Sequence, residues 1–435
     1  IITKEGWIEH DPDEIYRNML DGIRELLAKS GVHPSQVLAA GLCNQRETAV
    51  VWARNGKPLC NAVVWKCARG REICRQLHEY GYEPLIKNHT GLRLSPYFSA
   101  AKFHWMLHNV PLVQKYVERG TLMAGTMDSF LIYRLTHRHA TDYSNASRTQ
   151  LFDIHNLQWD SEICKMFDLP LSMLPHVRYS DSIFGKTTFE GIFDTPILLC
   201  GVMGDAHAAL FAQRCIHAGM GKISYGDGAS VMVNTGLHPV LSDDLSVSLA
   251  WGMEKKIQYV LEGNREHILA LAHQVSDSDG VYLIPAFSGL GAPYWNSSVR
   301  AQLSGMTLNT RKCHISCAAE QSIAYQVTDV IRAARAVFSG IKTLRADNSL
   351  AQDAPLLQFQ SDLLRTPITA SAMPESPGAG VAFTAGLTVG LYTPEQLENT
   401  CSAKRYEPQM RDTQVAALYA GWCNAVSHML SQPTT

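Results

Sequence analysis

Hydrophobic positions change their spacing along this chain, from the three- and four-residue steps of helices to the short apolar runs of strands. The first helix is predicted directly after Asp11, because Asp as N-cap, Pro12 at the first helical position and Glu14 form a start signal. Gly31 ends this run, as glycine commonly does beyond a helix C-terminus. The chain therefore opens with one amphipathic helix.

Short apolar runs between polar or glycine-containing turns predict the strands. Two of them flank the polar segment Asn44-Gln45-Arg46-Glu47, and a hairpin-type turn is expected at 54–57. The predicted strands are 36–42, 48–52, 196–203, 222–224, 229–234, 248–251 and 258–261. The further helices are predicted at 69–80, 100–108, 128–135, 314–338 and 380–389. Strands that alternate with helices indicate an α/β architecture.

The length of 435 residues exceeds one ordinary core and predicts two or three domains. The pattern starts afresh near Cys215–Met220, so we expect one domain over 1–215 and a second over 216–435. The net charge is −2 and no long basic run occurs, which disfavours a nucleic-acid or anionic-membrane surface. Apolar runs are interrupted too often to form a transmembrane helix.

The eleven cysteines include no C-x-x-C pair, and we interpret them as small core residues in a reducing cytoplasm rather than zinc ligands or disulfides. The histidines show no H-x-x-x-H pattern, so no metal site is predicted. No signal peptide is found, which favours a cytoplasmic location. The chain starts at Ile1 without Met and soon enters a helix, so we expect that an upstream part is missing.

Asp205 is the first candidate for chemistry. It follows a predicted buried strand and Gly204, the position at which open α/β sheets place catalytic groups. Such a carboxylate takes a proton from a substrate hydroxyl or orients a metal. The alternative is a structural role as helix N-cap, which spacing alone favours.

Arg46 and Glu47 form an adjacent pair of opposite charges in the turn between two strands. An arginine fork and a carboxylate grip vicinal hydroxyls through charge-assisted hydrogen bonds. The alternative is an exposed ion pair, which contributes little to stability.

The turn Tyr225-Gly226-Asp227-Gly228 is rich in glycine and lies between two predicted strands. Backbone N–H groups in such turns cradle phosphate. The alternative is an ordinary β-hairpin with Asp-Gly at its tip, and the Asp227 carboxylate would repel phosphate.

Several longer strings resemble motifs of the FGGY family of carbohydrate kinases. N-Q-R-E-T at 44–48 and T-D-Y-S-N-A-S-R-T at 141–149 are similar to the glycerol kinase branch of that family. The other similar strings are G-W-I-E-H-D-P at 6–12, S-P-Y-F-S-A at 95–100, G-D at 204–205, L-E-G at 261–263, P-A-F-S-G-L-G-A-P-Y-W at 285–295 and Q-F-Q-S-D at 358–362. They occur in family order over essentially the whole chain.

This resemblance implies an α/β fold of two actin-like (ribonuclease H-like) domains, each with a mixed sheet flanked by helices, and an interdomain cleft. It implies that ATP with Mg²⁺ phosphorylates a terminal hydroxyl of glycerol or a related polyol, giving glycerol 3-phosphate. The N-terminal domain would bind the polyol and the C-terminal domain the nucleotide. The resemblance also implies a homo-oligomer, because family members are often dimers or tetramers.

Matching the motifs residue by residue assigns the expected polyol site. Arg46, Glu47, Tyr97 and Asp205 would hold the polyol, with Asp205 as general base. Trp65 would form an apolar wall.

The nucleotide side departs from the family pattern. The family's opening D-x-G-T-T-S-type phosphate loop would lie upstream of Ile1, and the segment 264–279 is too short for its G-A-x-I-Q-W helix. Its Y-G-T-G turn is Y-G-D-G here, which puts Gly226, Asp227 and Gly228 at the phosphates. Its D-G-G loop ends in Ser349, and a later Asn falls on Asp353.

Two further departures lie on the substrate side, where Ala206 and Ser230 replace a Gln and an aromatic residue of the family pattern. The rival hypotheses are a catalytically impaired kinase-like protein that binds a polyol or a partner without phosphoryl transfer, and a structural remnant without a ligand.

Overall fold

The computed structural model describes residues 7–225, 228–266, 277–287, 289–371, 373, 376–398 and 403–431, without the side chains of 228, 264–266, 349, 352, 398 and 403. The chain forms two compact units. Unit 1 contains Ile1–Ala212, Val247–Tyr259 and Pro377–Asn399, and unit 2 contains Gln213–Ser246, Val260–Ser376 and Thr400–Thr435.

The helices are numbered along the whole chain. They are α1 (Pro12–Ser30), α2 (Arg71–Glu79), α3 (Glu83–Thr90), α4 (Ser99–Asn109), α5 (Pro111–Glu118), α6 (Met127–Thr136), α7 (Tyr143–Ala146), α8 (Ser161–Met166), α9 (Asp205–Ala212), α10 (Lys312–Val337), α11 (Ala354–Leu364), α12 (Ser376–Thr388), α13 (Pro394–Glu398) and α14 (Asp412–Ser431). Short 3-10 turns occupy Pro34–Gln36, Leu171–Met173 and Ser349–Gln352.

The strands are numbered in the same way. They are β1 (Glu9–His10), β2 (Ala39–Asn44), β3 (Ala49–Trp52), β4 (Ala62–Val63), β5 (Met123–Thr126), β6 (Ala140–Asp142), β7 (Phe152–Asp153), β8 (Gln158–Trp159), β9 (His176–Arg178), β10 (Ile183–Thr187), β11 (Ile197–Gly204), β12 (Met220–Tyr225), β13 (Gly228–Gly236), β14 (Ser246–Met253), β15 (Lys256–Glu266), β16 (Tyr282–Ile284), β17 (Gln302–Ser304), β18 (Thr343–Asp347), β19 (Ile368–Ser371) and β20 (Ala403–Tyr406).

The first helix begins and ends where its sequence signals predict. The Asp11 side chain accepts a hydrogen bond from the backbone N–H of Asp13, and Gly31 has the left-handed φ of 67° that a C-cap glycine adopts. The strand predicted at 36–42 starts later, at Ala39, because Pro34–Gln36 form a 3-10 turn capped by His33. Predicted element types are therefore confirmed more reliably than their bounds.

Two sheets organise unit 1. One has the order β1-β4-β3-β5, and the other has the order β10-β11-β2. In the second sheet β10 and β11 run antiparallel, whereas β11 and β2 run parallel and place Gly204 opposite Asn44. The segment 45–48 therefore passes from one sheet to the other, and β2 and β3 do not form a hairpin.

Strand β3 is buried on both of its faces. Ala49 and Val51 belong to a hydrophobic cluster that includes residues of α2 and α4. Val50 and Trp52 belong to a second cluster that includes residues of α6. Successive side chains of a strand point to opposite faces, so this strand contributes to both of these clusters.

The main sheet of unit 2 is mixed and includes, in this order, the strands β15, β13, β12, β18, β19 and β20. Strand β12 pairs antiparallel with β13 and parallel with β18, where Ser224 lies opposite Asp347. Helices α10 and α11 pack against its strands. Mixed sheets with flanking helices confirm the predicted α/β architecture in both units.

No helix in the described part of the chain is long and apolar enough to cross a membrane. All ten described cysteines are free thiols.

Candidate active site

The parallel pairing of β2 with β11 brings Arg46 and Asp205 together. Both side chains follow the carboxyl end of their strand, and these two ends meet at one edge of the sheet. The Arg46 Nε donates a hydrogen bond to the Asp205 Oδ1 at 3.1 Å. The Arg46 side chain is 7% exposed and that of Asp205 is 43% exposed. A buried guanidinium therefore bonds to a carboxylate that is accessible to solvent.

Gly204 provides the space in which Arg46 crosses the end of β11. A Cβ atom added at Gly204 would lie 2.5 Å from the Cγ of Arg46 and 2.7 Å from its Cδ. Real Cβ contacts are not this short, so any larger residue would displace the arginine. The Gly204-Asp205 pair in the sequence therefore has a steric basis.

The two carboxylate oxygens of Asp205 have different surroundings. Oδ1 accepts from the Arg46 Nε and, at 2.6 Å, from the backbone N–H of Ala206. Among the described residues, no donor reaches Oδ2. Asp205 is the first residue of α9 rather than the residue before it, and among the described residues its Oδ2 stays an open acceptor.

Arg46 and Glu47 have different partners: Arg46 bonds to Asp205, and Glu47 bonds to Arg148. Its Oε1 accepts a hydrogen bond from the Arg148 Nε at 2.6 Å, and both side chains are 2% exposed. Glu47 itself has a left-handed φ of 62°, which is uncommon outside glycine. The alternative of an exposed Arg46–Glu47 ion pair is therefore wrong, because each residue is buried against a partner distant in sequence.

A buried polar network supports the ends of β2 and β11. Asn44 and Asn145 exchange two amide hydrogen bonds of 2.9 and 3.1 Å. The Asp142 Oδ1 accepts from Asn145 and from the Ser144 hydroxyl, which in turn accepts from the Gly204 N–H at 2.9 Å. Burial raises the pKa of Asp142, and its hydrogen bonds oppose this effect. These contacts involve three residues of the T-D-Y-S-N-A-S-R-T string, and the string alone does not predict them.

Tyr97 and Trp65, both expected in the polyol site, lie against each other. Their ring centroids are 5.5 Å apart in an edge-to-face arrangement, and both side chains are half-buried. The Lys66 ammonium lies 4.8 Å from the centroid of the Trp65 ring. All five expected polyol residues belong to unit 1.

The expected nucleotide residues belong to unit 2 and are described only in part. Gly226 and Asp227 lie outside the described residues, as does the side chain of Ser349. Gly228 starts β13, and β12 and β13 pair antiparallel as the hairpin alternative predicted. Asp353 is the N-cap of α11, where its Oδ1 accepts from the Leu356 N–H at 3.1 Å.

Neighbouring parallel strands of unit 2 bring the two expected nucleotide segments to one edge of the sheet. The turn after β12 and the loop after β18 both start there, because Ser224 and Asp347 are register partners. The Ser224 hydroxyl bonds to the Asp347 carboxylate and to the ammonium of Lys222, a 1% exposed residue. Asn348 has a left-handed φ of 75°, so the backbone conformation that a family glycine would favour is kept.

A separate group of metal-type ligands was not foreseen. His89, Asp153 and Asp160 place one ligand atom each within 4.8 Å of one another. Asp160 caps α8 and bonds to His89, and Asp153 accepts from the N–H groups of the following turn. These contacts give the two carboxylates a structural role.

Comparisons with known proteins identify two family domains along the chain. The chain matches the N-terminal domain of the FGGY family of carbohydrate kinases over residues 1–212 and the C-terminal domain over 221–389. It is 41% identical to glycerol kinase 1 of Thermotoga maritima over 456 aligned positions, which cover 99% of this chain and 92% of that protein.

The solved structures give the same result. A crystal structure of Plasmodium falciparum glycerol kinase with ADP is 31% identical and has a TM-score of 0.88, covering 99% of this chain and 92% of that one. A ligand-bound xylulose kinase of Lactobacillus acidophilus has the same TM-score of 0.88 at 17% identity, which shows the fold alone. These likenesses confirm the predicted fold class.

Proposed function

Because this chain belongs to the FGGY family of carbohydrate kinases, we propose that it uses ATP to phosphorylate a terminal hydroxyl of glycerol, giving glycerol 3-phosphate and ADP. The observation that carries this proposal is the contact of Arg46 with Asp205 at the ends of two parallel strands. Arg46 bonds to one carboxylate oxygen of Asp205, and the other oxygen accepts no hydrogen bond from the described residues. The similarity to glycerol kinases supports glycerol as the polyol.

The polyol is held by residues of the domain that we assign to 1–215. Arg46 and Glu47 offer charged groups to vicinal hydroxyls, and such hydrogen bonds are roughly twice as strong as neutral ones. Trp65 and Tyr97 offer aromatic surface to the carbon chain, and the tyrosine adds a polar tip.

Asp205 acts as the general base. Its Oδ2 accepts the proton of the terminal hydroxyl while that oxygen forms a bond to the γ-phosphorus of ATP. The bond from this phosphorus to the bridging oxygen breaks, and ADP leaves. Arg46 and the Ala206 N–H hold Oδ1, so the carboxylate presents the other oxygen to the substrate. Positioned proton transfer typically contributes about 10²–10⁴-fold to a rate.

ATP is assigned to the domain over 216–435, at the edge where β12 and β18 end. Ligands of open α/β sheets bind outside the carboxyl ends of strands, which agrees with this edge. Gly226, Asp227, Gly228, Ser349 and Asp353 are the residues assigned to the nucleotide.

Mg²⁺ is the metal that this assignment implies. It prefers oxygen ligands and binds through phosphates, waters and one or two carboxylates. Asp205 would face such an ion through the ion's bound waters, because its side chain is 43% exposed, and Oδ2 would then stay available to accept the substrate proton. When bound, the ion neutralises charge on the phosphates.

A second candidate is a kinase-like protein that binds a polyol without phosphoryl transfer. Asp353 favours it, because this residue stands where the family has an Asn and already caps α11. We assign the chain to the cytoplasm in either case, and a homo-oligomer remains part of the proposal.

One experiment separates the two candidates. The purified chain is assayed for glycerol-dependent ADP and glycerol 3-phosphate, and glycerol and Mg-ATP binding are measured by calorimetry. We expect turnover in the wild type and at least a 10²-fold loss in Asp205→Asn, with glycerol binding kept. Glycerol binding without any glycerol 3-phosphate would instead establish the second candidate, and absence of glycerol binding would contradict both.

A further inference from the structure

Lys102 is a buried cation within unit 1, in the first turns of α4. It is 0% exposed, and its Nζ donates to the carbonyl oxygens of Pro96 at 2.9 Å and Phe98 at 3.0 Å, and also to that of Tyr97. Three consecutive carbonyls thus converge on one ammonium. They belong to the loop that enters α4 and carries Tyr97.

This loop connects two of the residues assigned to the polyol. The Tyr97 ring lies edge-to-face against Phe98 at 5.3 Å, and the Arg148 guanidinium lies 5.1 Å from the Phe98 ring. Arg148 in turn pairs with Glu47, and the Ser99 hydroxyl donates to the Glu47 carbonyl at 3.0 Å. A displacement of the loop would therefore affect both Tyr97 and Glu47.

A packing role alone does not account for a lysine at this position. Burial lowers the pKa of Lys102 to about 7, since the charged form loses its hydration. An apolar residue would fill a helix face inside a core without this penalty. The charge of Glu47 acts in the opposite direction and raises the pKa of Lys102. Cys67 and Cys74 also face the ammonium and raise this pKa.

We propose that Lys102 is a positioning residue of the polyol site, whose ammonium closes the 96–98 loop and thereby orients Tyr97 towards the substrate. This inference rests on the proposed function, because it takes Tyr97 as a polyol contact. Without the ammonium, three carbonyls of this partly buried loop lose a donor, and the loop must move to find water or another partner.

The test uses the full chain and compares Lys102→Gln with two controls. Lys115→Met removes an exposed lysine of α5, and Met106→Ala destabilises the buried face of α4 at a position outside the 96–98 loop. We expect Lys102→Gln to raise the KM and the Kd for glycerol at least 10-fold, with kcat and the KM for ATP changed less than 3-fold. Met106→Ala should lower the melting temperature and leave the KM for glycerol unchanged.

A double-mutant cycle separates positioning from general loss of structure. In the Tyr97→Ala background, Lys102→Gln should weaken glycerol binding less than 2-fold further, because residues that act through one contact are not additive. Should Lys102→Gln not fold, Ser95→Ala replaces it, since the Ser95 hydroxyl accepts from the Tyr97 N–H at 3.2 Å and supports the same loop. We expect that variant to raise the KM for glycerol as well.

The outcomes distinguish this inference from the proposed function. Equal glycerol affinity in wild type and Lys102→Gln, or fully additive effects with Tyr97→Ala, would overturn the role of Lys102 alone. Wild-type binding of glycerol without turnover would overturn phosphorylation and leave the positioning role to be judged by calorimetry. Absence of glycerol binding in the wild type would overturn both.

Discussion

Asn44 and Asn145 are 101 positions apart in sequence and exchange two side-chain hydrogen bonds in the buried interior. Each amide gives one N–H and takes one N–H, so neither asparagine needs water to satisfy this pair. Since Asn44 ends β2 opposite Gly204, the pair fixes the strand end from which Arg46 reaches Asp205.

Replacement of Asn145 tests this support. Asn145→Ala removes both amide hydrogen bonds to Asn44 and a side-chain bond to Asp142. We expect a loss of about 1–3 kcal/mol in the free energy of unfolding, measured by urea denaturation, together with weaker glycerol binding. Asn109→Ala, on the exposed end of α4, is the control and should change neither quantity.

The absence of a side chain at Gly204 gives a second prediction. Gly204→Ala places a Cβ against Arg46, so we expect a stability loss of about 1–3 kcal/mol and a clear decrease in glycerol affinity. Gly22→Ala is a matched control, because nothing lies within 4 Å of its added Cβ on the exposed face of α1. That control should gain roughly 0.5–1 kcal/mol from the better helix propensity of alanine. Unchanged glycerol affinity in Gly204→Ala would contradict the steric argument.

Arg46→Lys keeps the charge and removes the planar fork. A lysine ammonium cannot bond Asp205 and a pair of polyol hydroxyls with the same fixed geometry. We expect glycerol affinity to fall about 10-fold, equivalent to about 1.4 kcal/mol, when measured by calorimetry. Arg24→Lys, in an exposed pair with Asp21, should have no effect on binding. Equal affinities in Arg46→Lys and wild type would remove Arg46 from the polyol site.

The buried carboxyl of Asp128 predicts a pH dependence of stability. Burial raises the pKa of Asp128 to about 7, whereas an unfolded aspartate titrates near pH 4. Between these values the folded protein retains a proton that the unfolded chain has lost, so the stability contribution of Asp128 falls as pH rises.

Asp128→Asn should therefore change the pH profile. The stability advantage of wild type over this variant should shrink by about 2–3 kcal/mol between pH 5 and pH 8, as followed by urea denaturation. The exposed carboxylate of Asp194 provides the control, and Asp194→Asn should keep a constant offset from wild type. A constant offset for Asp128→Asn as well would refute the raised pKa.

Asp227 gives a prediction about the nucleotide, although it lies outside the described residues. A carboxylate in the turn assigned to the γ-phosphate opposes binding, and two like charges about 4 Å apart repel by roughly 4 kcal/mol at an effective dielectric of 20. We expect Asp227→Thr to bind Mg-ATP at least as tightly as wild type at the same free Mg²⁺, with glycerol affinity unchanged. Weaker Mg-ATP binding would identify Asp227 as a metal ligand instead.

The sequence predicted the parts of the fold that depend on local signals. The cap at Asp11, the turn at 54–57 and the long helix α10 are set by residues close in the chain, and each is confirmed. Asp205 was also placed correctly at a strand end. Its contact with Arg46 additionally required the parallel register of β2 and β11.

The parts that the sequence did not predict depend on distant partners. The ion-pair hypothesis for the turn at 44–47 joins Glu47 to its neighbour Arg46. In the structure Glu47 forms its ion pair with Arg148. Lys102 lies in a correctly predicted helix, yet a lysine is almost never fully buried and no pattern of apolar residues indicates that one is. Only the folded loop shows the three carbonyls that surround it.

The unequal surroundings of the two Asp205 oxygens determine what an amide would do in their place. Oδ1 receives two N–H donors, so an asparagine at this position must direct its carbonyl oxygen there and its NH₂ group to the open side. Asp205→Asn then reverses the polarity of the hydrogen bond offered to the substrate, from acceptor to donor. A polyol hydroxyl can accept that bond through its lone pairs, so the variant would hold glycerol with its proton still in place.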